Sequence, residues 1–250
     1  MATDATPAVE LRHVTKRFGE RAVLDDLSLV VPAGRAVCVL GRSGTGKSVM
    51  LKHIIGLMRP DEGLVLVEGE DVTRMPPRDL ARVRQRMGML FQHAALFDSI
   101  TVGENVAFPL RRHSKLPARE IRERAEALLA DVGLAGEYEK MPAELSGGMR
   151  KRAGLARALA LEPAILLADE PSTGLDPVTS GEIDRLLVEL RDRTGATLIV
   201  VTHNIPSARV IGDELVFLHE GRIAAQGTAG ELDHSDIPLV RQFMQAEGAG

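Results

Sequence analysis

The spacing of apolar residues changes several times along the chain, and each change predicts an element. Residues 9–13 and 22–31 alternate apolar and polar positions, which predicts strands of an antiparallel sheet. Residues 35–40 form a short apolar run that reads as a strand entering a glycine-rich turn. From Lys47 the period becomes helical, with Val49, Met50, Ile54 and Leu57 on one side, so a helix should pack that side on the sheet. Residues 87–91 return to a strand pattern. Residues 118–132 are charged but set Ile121, Ala125, Leu128, Leu129 and Val132 on one face, the mark of an amphipathic helix. Beyond Leu145, apolar strands at 165–168 and 197–201 flank a helix carrying Ile183, Leu186, Leu187 and Leu190. The predicted fold is α/β: an antiparallel β subdomain and a core sheet, with a helical subdomain inserted at about residues 93–160. One domain is expected over 9–245, with a disordered tail at 1–8 and a flexible one at 246–250.

Composition narrows the classes. With 250 residues, 44% of them hydrophobic, the chain can bury a sizeable core. Its net charge of −4 argues against affinity drawn from nucleic-acid phosphates, so no nucleic-acid partner is expected. The single cysteine, Cys38, allows neither an internal disulfide nor a thiolate metal cluster. The opening MATDATPAVE lacks the basic and apolar regions of a signal peptide, and no membrane-length apolar run occurs. The chain is expected to be cytosolic and, if it serves a membrane process, to do so on the cytoplasmic face as a peripheral subunit held by other proteins.

Two glycine-rich turns carry the chemistry. GRSGTGKS, Gly41, Arg42, Ser43, Gly44, Thr45, Gly46, Lys47 and Ser48, meets the full P-loop pattern between a strand and a helix that continues through Val49. Its glycines let backbone N–H groups face phosphate oxygens, Lys47 offers a charge to the β- and γ-phosphates, and the Ser48 hydroxyl suits Mg²⁺. An ordinary glycine turn would not need the lysine and serine at that spacing. LSGGMRKRAGLARA, residues 145–158, is the second turn, where Ser146, Gly147 and Gly148 can donate at a helix N-terminus. The strand ILLADE ends in two acids: Asp169 suits Mg²⁺, and Glu170 can take a proton from an attacking water. His203, after the strand and Thr202, is placed to orient that water, and Gln92, past the strand at 87–91, to sense Mg²⁺ or water. Phe18 precedes a glycine and is a candidate to stack on adenine, against packing within the hairpin. The runs Arg150-Lys151-Arg152 and Arg111-Arg112-His113 read as solvated helix faces, and the six other histidines as surface or packing residues.

In this order GRSGTGKS, Gln92, LSGGM, ILLADE, STGLD at 172–176 and His203 resemble the ABC ATPases over almost the whole chain. The resemblance implies a P-loop ABC-type nucleotide-binding domain that uses ATP and Mg²⁺. It also implies a head-to-tail homodimer, each ATP lying between the P-loop of one copy and the LSGG of the other, with the loop ending at Asp176 touching the partner beside Glu170. Within that family FQHAALFDSITVGENVAFPLR, residues 91–111, resembles the ATPases of MCE-linked phospholipid transporters of the Mla type, which maintain outer-membrane lipid asymmetry. LSGGMRKRAGLARALALEP and PLVRQFMQ agree. This implies integral membrane permease subunits, an MCE-domain lipid-binding protein and small accessory subunits as partners. The apolar stretch Ala94, Ala95, Leu96 and Phe97 is then expected in a loop that receives a permease helix. A small-solute importer ATPase is the alternative; a soluble ABC mechanoenzyme would call for coiled coils, a second cassette or basic surfaces. A GTPase would call for N-K-x-D, which is absent from the sequence. Phe18 stands where the wider family often has tyrosine. The chain ends soon after Gln245, so the longer C-terminal clasp of some relatives is not expected.

Overall fold

The computed structural model describes residues 6–246. In chain order, β1 (Val9–Phe18), β2 (Arg21–Val31) and β3 (Ala36–Leu40) lead into α1 (Lys47–Ile54), followed by β4 (Glu62–Val67), β5 (Glu70–Asp71), α2 (Pro77–Arg84) and β6 (Met87–Leu90). Three helices come next: α3 (Val102–His113), α4 (Ala118–Asp131) and α5 (Gly147–Leu159). The chain then alternates through β7 (Ile165–Asp169), α6 (Pro177–Thr194), β8 (Thr197–Thr202) and α7 (Ile205–Ile211). It closes with β9 (Glu214–His219), β10 (Arg222–Gly227), α8 (Ala229–Asp233) and α9 (Pro238–Gln245).

The strands form two sheets. An antiparallel sheet runs β2-β1-β4-β5, and a six-stranded sheet runs β10-β9-β3-β8-β7-β6 with parallel pairing from β9 through to β6. The apolar runs of β3, β7 and β8 are explained by two cores. Ala36, Cys38 and Leu40 face one core and Val37 and Val39 the other. Leu198 and Val200 part from Ile199 and Val201 in the same way. A strand covered on both faces shows no polar alternation, because neither set of side chains meets water. One core joins the sheet to α3, α4 and α5, and the other joins it to α1 and the antiparallel sheet.

Three expectations need correction. Ala8, assigned to a disordered tail, is 3% exposed; its N–H donates to Val31 O and its carbonyl accepts from Glu68 N, both at 2.9 Å. Tail residues 1–5 and 247–250 lie outside the described residues. Leu57 does not extend the buried face of α1, because the helix ends at Ile54 and Gly56 turns left-handed at φ 68°, leaving Leu57 55% exposed. Ala94 is no part of an exposed loop patch: it is 1% exposed. A methyl group packs there at the surface of α5, where a Cβ on Gly154 would lie 3.0 Å from Ala94 Cβ.

Candidate functional site

The first glycine turn opens α1 without a side-chain cap, and Gly46 stands at the cap position in a left-handed conformation, φ 104°. Any larger residue is excluded, since a Cβ there would lie 2.7 Å from Val23 O. The first turn of α1 holds no acid, so the positive end of the helix faces the cleft uncompensated. The Lys47 ammonium, 6% exposed by residue, donates to Gly41 O at 2.6 Å and Arg42 O at 3.2 Å, and lies 3.7 Å from a Glu170 oxygen. Burial lowers its pKa, and the Glu170 charge opposes that shift.

Across the cleft the carboxyl end of β7 supplies both acids. Ser48 Oγ donates to Asp169 Oδ1 at 2.9 Å; burial raises the Asp169 pKa, and that hydrogen bond pulls the other way. Glu170 follows at φ 49°, a left-handed conformation that costs a non-glycine residue about 1–2 kcal/mol. The bend turns its carboxylate from the sheet into the cleft, where Thr173 Oγ1 donates at 3.0 Å and Thr202 Oγ1 at 3.2 Å. His203 Nδ1 lies 3.0 Å from one carboxylate oxygen and 2.9 Å from the other. Burial pushes the Glu170 pKa up, but the His203 hydrogen bond and charge, Thr173 and Lys47 together outweigh it and hold the group below its ordinary value. Ser43, Gly44, Gly46, Lys47, Ser48, Val49, Gln92, Glu170 and His203 thus line one cleft of about 360 Å³. Gly41, Arg42 and Thr45 complete the turn, Thr45 Oγ1 donating to Arg42 O at 2.9 Å.

The remaining candidates lie elsewhere. Ser146 caps α5, its Oγ accepting from Met149 N at 3.2 Å. Gly148 is held against α6, where a Cβ would meet Thr179 Cγ2 at 2.6 Å. Gly147 lines a separate cleft of about 280 Å³ with Gln92, Lys151, Thr173 and Leu175. Asp176 caps α6 by accepting from Val178 N and Thr179 N, each at 3.0 Å. Phe18 is 49% exposed at the tip of the β1–β2 hairpin, with Lys16 Nζ 5.8 Å from its ring, so packing inside the hairpin does not describe it. The reading of Arg150-Lys151-Arg152 as a solvated face is also corrected. Arg150 is exposed but Lys151 is buried, because the loop after β6 folds over that face of α5. Sequence reasoning missed Thr173, Thr202 and Lys151; the only signal for the threonines was their place beside Glu170 and His203.

The cleft offers an α1 N-terminus without a side-chain cap and an ammonium to a polyanion, and a fixed carboxylate with an imidazole to a nucleophile. Comparison with known proteins agrees. The ABC transporter family profile matches residues 24–173. Similar proteins include "Probable ribonucleotide transport ATP-binding protein mkl" of Mycobacterium tuberculosis, 44% identical over 97% of this chain and 68% of that one. "Intermembrane phospholipid transport system ATP-binding protein MlaF" of Escherichia coli K12 is 43% identical over 97% of this chain and 90% of that one. Among solved structures, an ATP-binding cassette dimer in a post-hydrolysis state with ADP and Pi superposes with a TM-score of 0.82 at 35% identity, covering 88% of this chain and 98% of the other. On the strength of the profile and these near full-length relatives, the chain belongs to the ABC transporter family, as one of its ATP-binding and ATP-hydrolysing subunits.

Proposed function

We propose that the chain is the ATPase of a transporter that moves phospholipid between membranes of the cell envelope, working as a head-to-tail homodimer. The observation that carries the substrate assignment is the extent of the match to MlaF, 43% identity over 90% of that protein's length. The P-loop amides and Lys47 hold the phosphates. Glu170, ionised and fixed by Thr173, Thr202 and His203, takes the proton of the attacking water, which His203 orients. Gln92, at the mouth of the same cleft, reports on that water. Ser48, Asp169 and Gln92 present only oxygen donors near the phosphates. That set fits Mg²⁺, which takes one or two carboxylates plus substrate oxygens and would neutralise phosphate charge there. Ser146, Gly147 and Gly148 serve the partner copy's ATP, the loop ending at Asp176 meets the partner, and Phe18 stacks on adenine.

No helix among the described residues is long and apolar enough to cross a membrane. On the strength of the match to MlaF, we assign the transport path to partner subunits and this chain to the cytoplasmic face beside a permease and an MCE-domain protein. Phe97 and Phe108 offer the docking point: their ring centroids are 5.0 Å apart and each residue is 46% exposed. The buried Asn105 holds this loop rigidly, accepting from Phe97 N at 2.7 Å and donating to Phe97 O at 3.0 Å. Leu96→Glu and Phe97→Glu are expected to weaken copurification of the membrane subunits while ATP binding persists. Deletion of the gene is expected to expose phospholipid at the cell surface and sensitise cells to detergent. Loss of nucleotide or amino-acid uptake with unchanged envelope lipids would replace this reading with a solute importer.

A further inference from the structure

The buried cation of α5 has no place in the chemistry above. Lys151 is 6% exposed and makes no ion pair among the described residues. Its ammonium donates instead to two backbone carbonyls from different parts of the chain, Gln92 O and Glu170 O, the latter at 3.1 Å. Burial lowers its pKa, while the charges of Glu170 and Asp169 act to keep it protonated. Six residues further along α5, Arg157 donates to Ala94 O at 2.8 Å and Ala95 O at 2.6 Å. Between them lies Gly154, whose lack of a side chain lets the loop seat on the helix. Ala94 and Ala95 are both left-handed, φ 59° and 50°, which turns successive carbonyls of the loop toward α5.

We propose that Lys151 is a positioning residue that ties the backbones of Gln92 and Glu170 to the helix that Ser146 caps. The inference rests on the roles proposed above for Glu170 and Gln92. A lysine suits this task because one ammonium holds three donors, enough for two carbonyls at once, on a stem that packs like a methionine. A contact made by the partner's ATP at Ser146 then moves the loop of Gln92 and the backbone of Glu170 in this copy, since Ser146 and Lys151 lie only five positions apart at the start of one helix. Each site therefore senses occupancy of the other through a single side chain.

The test is steady-state hydrolysis and backbone hydrogen exchange of the full-length protein carrying Lys151→Met, Lys151→Arg or Glu170→Gln. Lys151→Met keeps the packing stem and removes the donors. It is expected to lower kcat about tenfold or more, since a displacement of about 1 Å at a catalytic group can cost ~100-fold, while KM for ATP stays within about twofold. Amides of residues 92–95 should exchange faster in that variant. Lys151→Arg, which restores charged donors, should recover most of the rate. Wild-type kcat in Lys151→Met overturns the proposal, as does a parallel loss of kcat and melting temperature that Lys151→Arg does not rescue. Near-normal turnover in Glu170→Gln would remove the base instead. With faster exchange at 92–95 in Lys151→Met, that result leaves the tether standing; with exchange unchanged, it overturns the tether as well.

Discussion

The chain holds two glycine-rich turns at helix N-termini, and they are built to different ends. At α1 the cap is a left-handed glycine with no side chain to satisfy the first amides, and those amides open on a cleft shared with Lys47, Glu170 and His203. At α5 the Ser146 hydroxyl already accepts from Met149 N, Gly148 is pressed against Thr179, and neither Asp169 nor Glu170 lines the cleft outside. Both helices lack an acid in their first turn, so both favour an anion. Only one has the groups to hydrolyse it. The second turn has no catalytic carboxylate beside it, and in the proposed dimer it serves a phosphate brought by another copy. Gln92 touches both clefts, which places it where the two functions meet.

The largest effect should come from removing the chemistry and leaving both turns intact. Glu170→Gln keeps the size of the side chain and can still bond to Thr173 and Thr202, but it takes no proton. Hydrolysis in the assembled complex should fall by ~100-fold or more, within the range of general base catalysis, while ATP binding and the ATP-bound dimer persist. A single-turnover assay with labelled ATP measures the step directly.

The next effect separates the two turns. Lys47→Ala disables the first, and Ser146→Arg fills the second with a bulky cation. A heterodimer of the two variants contains one composite site with both lesions and one with neither. In an equimolar mixture about half of the dimers are mixed, so activity should return to about a quarter of wild type when one intact site turns over alone. Each variant by itself should be inactive. Recovery that depends on the mixing ratio would identify a site made from two chains, whereas a site contained in one chain predicts no recovery.

These contrasts were legible to different degrees. The P-loop, LSGG and ILLADE were readable because each is a local pattern whose spacing matches backbone geometry. The core strands were readable because a strand with two buried faces stays apolar throughout. The α3 helix was missed because Gly103 and Pro109 lower its propensity; the Thr101 and Glu104 capping box was its sequence signal. Gly103 is there for packing, since a Cβ would lie 2.1 Å from the Tyr138 ring. The β9–β10 hairpin escaped because its turn uses a left-handed Glu220 before Gly221, φ 47° and 78°, rather than Asn-Gly. Lys151 could not be read at all. Whether a lysine in a basic run is solvated depends on where a loop 59 residues away in sequence comes to rest.

The smallest effect concerns how the first cleft keeps its base ready, a property the second cleft has no means to share. The Glu170 carboxyl is held below its ordinary value of 4.5, with burial opposed by His203, Thr173 and Lys47. A depressed acid pKa means that the carboxylate persists as pH falls through the range where a free glutamate would protonate. Its contribution to stability is therefore complete above about 4.5 and is lost only as pH falls through the lower folded value. Turnover should follow the same sign, with no loss assignable to Glu170 between about pH 7 and pH 5. Thr173→Val removes one hydroxyl that bonds to the ionised form and leaves the β7 end in place. Its acid limb should move upward toward the ordinary carboxylate range, with kcat at neutral pH little changed. A pH–rate profile of the two proteins under saturating ATP measures the shift. Coincident acid limbs would show that the Thr173 hydroxyl does not tune the base.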